Sequence, residues 1–123
     1  MAVRVQQDDF DVGAESRALQ GPAVGAIALF VGTVRSLSED DSVTAMTLEH
    51  YPGMTEAEIS RIEDEARARW PLLGVTVVHR VGRLLAGEQI VLVAVSSAHR
   101  QAAFDAAQYM MDFLKTDAPF WKA

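Results

Sequence analysis

The chain has only two lysines, Lys115 and Lys122, and both lie within its last nine residues. Each follows a pair of bulky apolar residues, Phe113-Leu114 in one case and Phe120-Trp121 in the other. An ammonium group that loses water to such neighbours is suited to proton transfer or to attack on a carbonyl. The pair therefore predicts an anion-binding catalytic pocket. The alternative is two surface lysines whose stems lie along apolar neighbours.

A second cationic cluster, His99 and Arg100, lies in the segment 96–100, where an apolar strand gives way to a helix. Helix N-termini present free N–H groups and a positive potential, so they suit phosphate, which arginine binds through two hydrogen bonds. In the alternative, Ser97 only caps the helix and both cations are exposed. The local sequence favours neither interpretation.

Arg35 closes an apolar strand after Gly32-Thr33-Val34. A residue at the end of a strand is well placed to face a ligand. Taken alone, however, the position is simpler to interpret as an exposed arginine at a strand terminus.

The spacing of Arg100 and Lys115 limits how one pocket could use both. In one unbroken helix they lie ~22 Å apart along the axis, too far for both to contact one small molecule. Either they serve different ligands, or the pocket combines residues from two copies of the chain. We expect the second arrangement.

The length of 123 residues predicts a single domain, and 50% apolar with 23% charged residues is typical of soluble globular proteins. The net charge of -6 argues against nucleic-acid binding, which needs a basic surface. The absence of cysteine excludes disulfides, thiolate metal sites and a cysteine nucleophile, and the chain cannot carry sulfur on its own thiol.

Other classes of site and location are also disfavoured. Residues 1–9 lack the apolar stretch of a signal peptide, and the longest apolar run, 23–32, is half the ~20 residues that cross a bilayer. We therefore expect a cytoplasmic protein without membrane contact. His50, His79 and His99 lack metal-ligand spacing, so no metal is expected. Neither a Gly-x-Ser-x-Gly hydrolase motif nor a glycine-rich phosphate loop occurs.

Hydrophobic periodicity predicts strands mixed with two long helices. The expected fold is an α+β domain with a mostly antiparallel sheet. The predicted strands are 3–7 at a sheet edge, 23–35, 43–51, 74–81 and 88–96, and the predicted helices are 12–19, 55–70 and 97–115.

Local signals add detail to these elements. Strands 23–35 and 88–96 are predicted to be buried, with Gly25 and Gly32 at bulges or close approaches. The polar, acidic segment 36–42 predicts a mobile loop.

Helix signals and turn signals are also present. Thr55 and Glu58 fit a capping box, Ser97 is expected to cap the last helix, and 82–87 is expected to be a turn. Apolar residues at helical spacing predict two core stripes, formed by Ile59, Ile62, Ala66 and Trp70 and by Ala103, Ala107, Met110 and Leu114.

Several short segments, in order from about Ala23 onward, resemble the large, catalytic subunit of molybdopterin synthase. No single segment is specific, but together they are. They are Leu48-Glu49-His50-Tyr51-Pro52-Gly53-Met54, Ala68-Arg69-Trp70-Pro71, His79-Arg80-Val81-Gly82, Gly87-Glu88, Ser97-Ala98-His99-Arg100, Ala103-Phe104, Leu114-Lys115 and Ala118-Pro119-Phe120-Trp121-Lys122.

The resemblance implies a fold of the α/β-hammerhead type, one domain over 1–123 and a sulfurtransferase activity. Sulfur would pass from the C-terminal Gly-Gly thiocarboxylate of a small ubiquitin-like partner to cyclic pyranopterin monophosphate (precursor Z). The product would be the dithiolene of molybdopterin, made without a cofactor. The implied assembly is a heterotetramer, with a central homodimer of large subunits and one small subunit at each end. A sulfur-carrying partner agrees with the missing cysteine.

The resemblance also implies roles for individual residues. Lys115 is expected to act as acid/base, or as the charge that stabilises the oxyanion formed when sulfur leaves the acyl carbon. Lys122, the second catalytic lysine that the resemblance implies, is expected to help hold the substrate and the tail, and Lys115 is expected to bind the substrate as well. The other substrate-binding positions, the first two acting through the backbone, are Thr33, Val34, Arg35, His99 and Arg100.

The chain departs from the family at one point. Family members usually continue into a C-terminal tail with a further basic residue, and this sequence stops at Ala123. An alternative therefore stays open, a non-catalytic paralogue that binds the partner or a pterin phosphate without turnover. The two lysines favour the enzyme, and the missing tail favours the alternative.

Overall fold

The computed structural model describes residues 3–36 and 45–123. Within them, helices alternate with strands in a mixed order, which confirms the α+β class. The helices are α1 (Val12–Ala18), α2 (Met54–Arg69) and α3 (Arg100–Thr116), and the strands are β1 (Val3–Gln6), β2 (Ala26–Thr33), β3 (Ala45–His50), β4 (Leu72–Arg80), β5 (Gly82–Leu85), β6 (Gln89–Ser97) and β7 (Phe120–Lys122).

Two sheets organise the chain. The main sheet has the strand order β1-β4-β6-β2, and the second sheet has the order β5-β3-β7. Every pairing among the described strands is antiparallel except that of β1 with β4. The mostly antiparallel architecture is therefore confirmed, and β1 is the edge strand that was predicted.

The core lies between the main sheet and the two long helices. Val77, Val93 and Val95 face Ala66 of α2 and Ala106 of α3 in one cluster, and all five are 0% exposed. Each buried valine contributes roughly 1.5 kcal/mol or more to folding. Both predicted helical stripes are confirmed, since every member is buried except the half-buried Trp70. No helix in residues 3–36 and 45–123 is both long and apolar enough to cross a bilayer.

The start of α2 differs from the prediction. Gly53 takes the N-cap position with a φ of 84°, which glycine adopts without strain, and its N–H donates to the Glu56 carboxylate at 3.0 Å. Glu58 instead pairs with Arg61 at 3.1 Å. The predicted Thr55–Glu58 capping box is therefore wrong.

The start of α3 differs as well. Ser97 is the last residue of β6, and His99 occupies the N-cap position. The Ser97 hydroxyl donates to the Pro71 carbonyl at 2.8 Å and accepts from the His99 N–H at 3.3 Å. It ties the strand end to the segment after α2 rather than capping the helix, so the predicted cap is wrong.

The two apolar strands have different environments. β6 has a strand on each side and is buried from residue 91 to residue 97, as predicted. β2 lies at the edge of the sheet, and its Leu29 and Phe30 are 44% and 42% exposed. The prediction of a buried strand over 23–35 is therefore wrong, because an apolar run does not say whether its strand has one neighbour or two.

The second sheet was only partly foreseen. Residues 82–85 form β5 against β3, so only 86–87 of the predicted turn is a turn. The short strand β7 was not predicted. Residues 37–42 of the predicted loop and 43–44 of the predicted third strand lie outside the described residues.

Gly25 and Gly32 mark close approaches, as predicted. A Cβ atom on Gly25 would lie 2.1 Å from the carbonyl oxygen of Ala98, and one on Gly32 would lie 2.6 Å from Cγ1 of Val91. The register of β2 against β6 also shifts between Gly32 and Thr33, which is a bulge. The strands therefore have no room for side chains at these two positions.

We expect Gly25→Ala to lower the free energy of unfolding by about 1–3 kcal/mol, because the added methyl meets backbone rather than a movable side chain. Gly21→Ala is the matched control, since a Cβ there has its nearest neighbour at 4.0 Å. Chemical denaturation of both variants measures the difference. Equal stability of the two would contradict the close approach.

Candidate functional site

The topology divides the predicted site residues between the two ends of the main sheet. Only Ala98 and His99 separate β6 from α3, and the helix packs back along that strand. Because β2 is also antiparallel to β6, β2 and α3 run in the same sense. Residues 33–35 and Lys115 therefore lie at one end, and His99 and Arg100 at the other.

A groove of about 480 Å³ lies between β2 and α3. Its walls are mostly apolar, and Lys115 is the cation among its lining residues. The lining consists of Ala28, Leu29, Phe30, Phe104, Ala107, Gln108, Met111, Asp112 and Lys115. Because the lining holds the Asp112 carboxylate as well as the Lys115 ammonium group, the groove suits an extended chain whose negatively charged end lies beside Lys115.

Sequence reasoning did not identify the aromatic walls of this groove. The signal was available, because Phe104, Gln108, Met111 and Lys115 follow i, i+4, i+7 and i+11 and therefore lie along one face of a helix. Phe104 is 59% exposed, an unusual setting for a large aromatic residue on that face. A large aromatic side chain left exposed on this face indicates a surface that binds something.

The expected loss of water from the lysines is not found in the single chain, where Lys115 and Lys122 are both exposed. Successive helical residues point about 100° apart, so Phe113 and Leu114 enter the core while Lys115 does not. Trp121 and Lys122 likewise point to opposite faces of β7. Lys115 would lose water only when a partner covers the groove.

Lys122 is held close to the end of α3 by the second sheet. Three residues, 117–119, connect α3 to β7. In the register of β7 with β3, Lys122 lies opposite Leu48, and the next N–H, that of Ala123, donates to the Thr47 carbonyl at 2.9 Å. The two lysines therefore flank one short connection.

Both backbone hydrogen-bonding groups of Val34 are occupied by the segment that precedes β6. Its N–H donates to the Glu88 carbonyl at 2.8 Å, and its carbonyl accepts from the Gly87 N–H at 2.7 Å. Its side chain is 7% exposed. The Val34 N–H is therefore not free for a ligand, and any contact with the substrate in this segment falls mainly to the exposed Thr33 and Arg35.

His99 and Arg100 are exposed around a second depression of about 420 Å³, which Gly25, Ala98 and Gln101 complete. α3 is unbroken from residue 100 to residue 116, so the ~22 Å separation of Arg100 and Lys115 stands. Within one chain, these residues do not form one small-molecule site.

His79 and His50 flank the ring of Phe120. The His79 ring stacks on it with centroids 3.8 Å apart, and the His50 centroid lies 6.4 Å away. His79 Nδ1 donates to the Arg80 carbonyl at 2.9 Å. Burial, opposed by this hydrogen bond and assisted by the nearby His50, lowers the pKa of His79 to about 4. The described residues contain no cluster of three side chains that could hold a metal ion.

His79 makes stability depend on pH. Between pH 6.5 and about 4, the unfolded chain binds a proton at this ring and the folded chain does not, so the free energy of unfolding falls as pH falls. The full loss is about 3 kcal/mol. We expect His79→Gln to flatten this part of the pH profile, measured by denaturation at several pH values. Parallel profiles for variant and parent would contradict the buried neutral ring.

The chain is similar to known proteins over nearly its whole length. The family model described as MoaE protein matches residues 5–117. The molybdopterin synthase catalytic subunit of Vibrio cholerae is 56% identical over 121 residues, which cover 98% of this chain and 81% of that protein.

Solved structures show the same fold. The molybdopterin biosynthesis MoaE protein from Burkholderia ambifaria matches with a TM-score of 0.89 and 53% identity, over 99% of this chain and 81% of that one. The complex of subunits 1 and 2 of molybdopterin-converting factor from Helicobacter pylori matches with a TM-score of 0.81 over 99% of this chain and 83% of that one. Its 22% identity shows the fold alone.

Proposed function

Because the chain belongs to the MoaE protein family, we propose that it is the catalytic subunit of a molybdopterin synthase and a sulfurtransferase. It takes sulfur from the C-terminal thiocarboxylate of a small ubiquitin-like partner and delivers it to cyclic pyranopterin monophosphate. The name of the Vibrio relative supports this proposal. The observation that carries it is the apolar groove lined by Lys115.

The groove fits the end of such a partner. Among the described residues, β2 has a strand on one side only, so its outer edge offers backbone groups that pair with an extended segment. A Gly-Gly terminus has no side chains and passes between Phe30 on β2 and Phe104 on α3. The terminal thiocarboxylate, an anion, then meets the ammonium group of Lys115.

The chemistry at this point is acyl transfer. The thiocarboxylate sulfur bonds to a carbon of the pterin side chain, and an oxygen substituent leaves that carbon with the bonding electron pair. Water then replaces sulfur on the acyl carbon and gives up its proton. The tail leaves as a carboxylate, the sulfur stays on the pterin, and a second transfer completes the dithiolene. Attack by water places a negative charge on the oxygen of the acyl carbon. Lys115 either stabilises this oxyanion by its charge or acts as the acid and base that transfers the proton in this step. The tail covers the ammonium group of Lys115 and displaces water from it, whereas in the single chain this group is exposed.

The substrate needs a second set of cations. We assign its phosphate and pterin to Arg35, His99 and Arg100, with Thr33 and Val34 shaping the floor beside Arg35 and Lys122 helping to hold the substrate and the tail. Since Arg100 and Lys115 lie at opposite ends of α3, the complete pocket takes Arg100 from a second copy of the chain. The proposed assembly is therefore a homodimer with one small partner at each end.

A direct assay tests the proposal. The protein is mixed with thiocarboxylated partner and cyclic pyranopterin monophosphate, and the dithiolene product is measured by mass spectrometry. We expect product that requires both components. Tight binding of partner or pterin without product would contradict the enzyme and indicate a binding subunit.

A further inference from the structure

We propose that Thr55 and His79 are positioning residues that anchor β7 and thereby direct Lys122 toward the site. The functional half of this inference rests on the proposed role of Lys122. The anchoring half rests on contacts between buried side chains and the segment that joins α3 to β7.

The first anchor is the hydroxyl group of Thr55. Thr55 lies in the first turn of α2 and is 0% exposed. Its hydroxyl donates to the Pro119 carbonyl at 3.3 Å and accepts from the Tyr51 N–H at 3.0 Å. One buried hydroxyl therefore joins the start of α2, the residue after β3 and the residue before β7.

The second anchor is the imidazole ring of His79 in β4. It stacks on Phe120 with an interplanar angle of 18°, and its hydrogen bond to the Arg80 carbonyl restrains the ring. Phe120 is the first residue of β7. The main sheet therefore contacts the second sheet at Phe120, the residue that follows Pro119 in the chain.

These contacts matter because β7 is weak by itself. It has three residues, and within residues 3–36 and 45–123 it pairs with β3 alone. So short a strand is marginal without side-chain contacts. Side chains two residues apart point to the same face of a strand, so fixing Phe120 also fixes the direction of Lys122. Loss of an anchor leaves the ammonium group intact but lets it move.

Hydrogen exchange and turnover together test the inference. Thr55→Val keeps the shape and removes the hydroxyl, whereas Thr55→Ser retains it. We expect Thr55→Val to speed exchange of the Ala123 amide, which bonds to Thr47, and to lower kcat about tenfold. Thr55→Ser should stay near the parent in both. His79→Gln should speed the same exchange.

Ile62→Val is the matched control, because it trims the core of α2 and lies outside the anchor. It should lower thermal stability without changing kcat or exchange in β7. Unchanged exchange in both Thr55→Val and His79→Gln would overturn the anchoring, whatever the enzyme does.

A double variant separates positioning from general destabilisation. If Thr55 acts through Lys122, adding Thr55→Val to Lys122→Ala should cause no further loss of rate. Losses that multiply would overturn the positioning role. A Lys122→Ala protein with the parent rate would instead overturn the proposed role of Lys122, and the exchange result would still decide the anchoring.

Discussion

Replacing Lys115 with alanine is expected to lower the rate of dithiolene formation by about 10²–10³-fold, the usual cost of removing one group that stabilises an oxyanion. Lys115 is exposed and lines the groove, so its removal leaves the core intact. The rate is measured at saturating partner and pterin, so that a weakened affinity does not account for the loss.

Two further variants define what the lysine does. Asp105→Ala alters α3 at a residue outside the described lining of the groove and should keep nearly the parent rate. Lys115→Arg keeps the charge but not a group that exchanges protons readily. A substantial rate in Lys115→Arg would assign electrostatic stabilisation, and its loss would assign proton transfer. Parent-like turnover in Lys115→Ala would refute the catalytic role.

Mixed dimers of Arg100→Ala and Lys115→Ala chains are expected to recover about half of the parent activity. Each homodimer is impaired at both sites, because every site then has one lesion. If each pocket combines residues from both chains, one site of the mixed dimer contains both substitutions and the other site contains neither. The mixed dimer keeps one unmodified site whatever the strength of either substitution, so the gain over the two homodimers is largest when each substitution alone is strongly inactivating.

The reciprocal arrangement is the control. A chain with both substitutions, paired with a parent chain, places one lesion in each composite site and should be nearly inactive. If each chain held its own complete site, the outcome would be reversed, with the doubly substituted pair half active and the mixed pair inactive. Purified tandem-tagged dimers allow both pairs to be assayed.

Local patterns were sufficient for much of the fold. The helical stripe Ala103-Ala107-Met110-Leu114 and the apolar run in β6 each describe one element, and both are confirmed. The predictions that failed concern elements whose conformation depends on residues far away in the sequence. β5 resembles a turn because it begins with Gly82 and is soon followed by Gly87, and it is a strand only because β3 lies beside it. β7 has three residues, too few for any periodicity.

The cations of the candidate site could be predicted from the sequence more readily than the apolar residues that form its walls. Lys115 and Arg100 stand out by type and spacing, and their separation on α3 follows from helix geometry alone. Phe30 was read as a core residue because a strand sequence does not say which edge is open. The anchor at Thr55 was assigned to a cap, since nothing local links it to Pro119, 64 residues away.

The most direct measurement locates the sulfur-bearing tail on the surface of the protein. A photo-reactive residue placed just before the Gly-Gly end of the small partner is activated in the complex, and the cross-linked peptides are identified by mass spectrometry. We predict cross-links to the groove between β2 and α3, at Phe30, Phe104 or Met111. Cross-links confined to another surface, in a complex that still makes product, would contradict the groove beside Lys115 as the place of sulfur transfer.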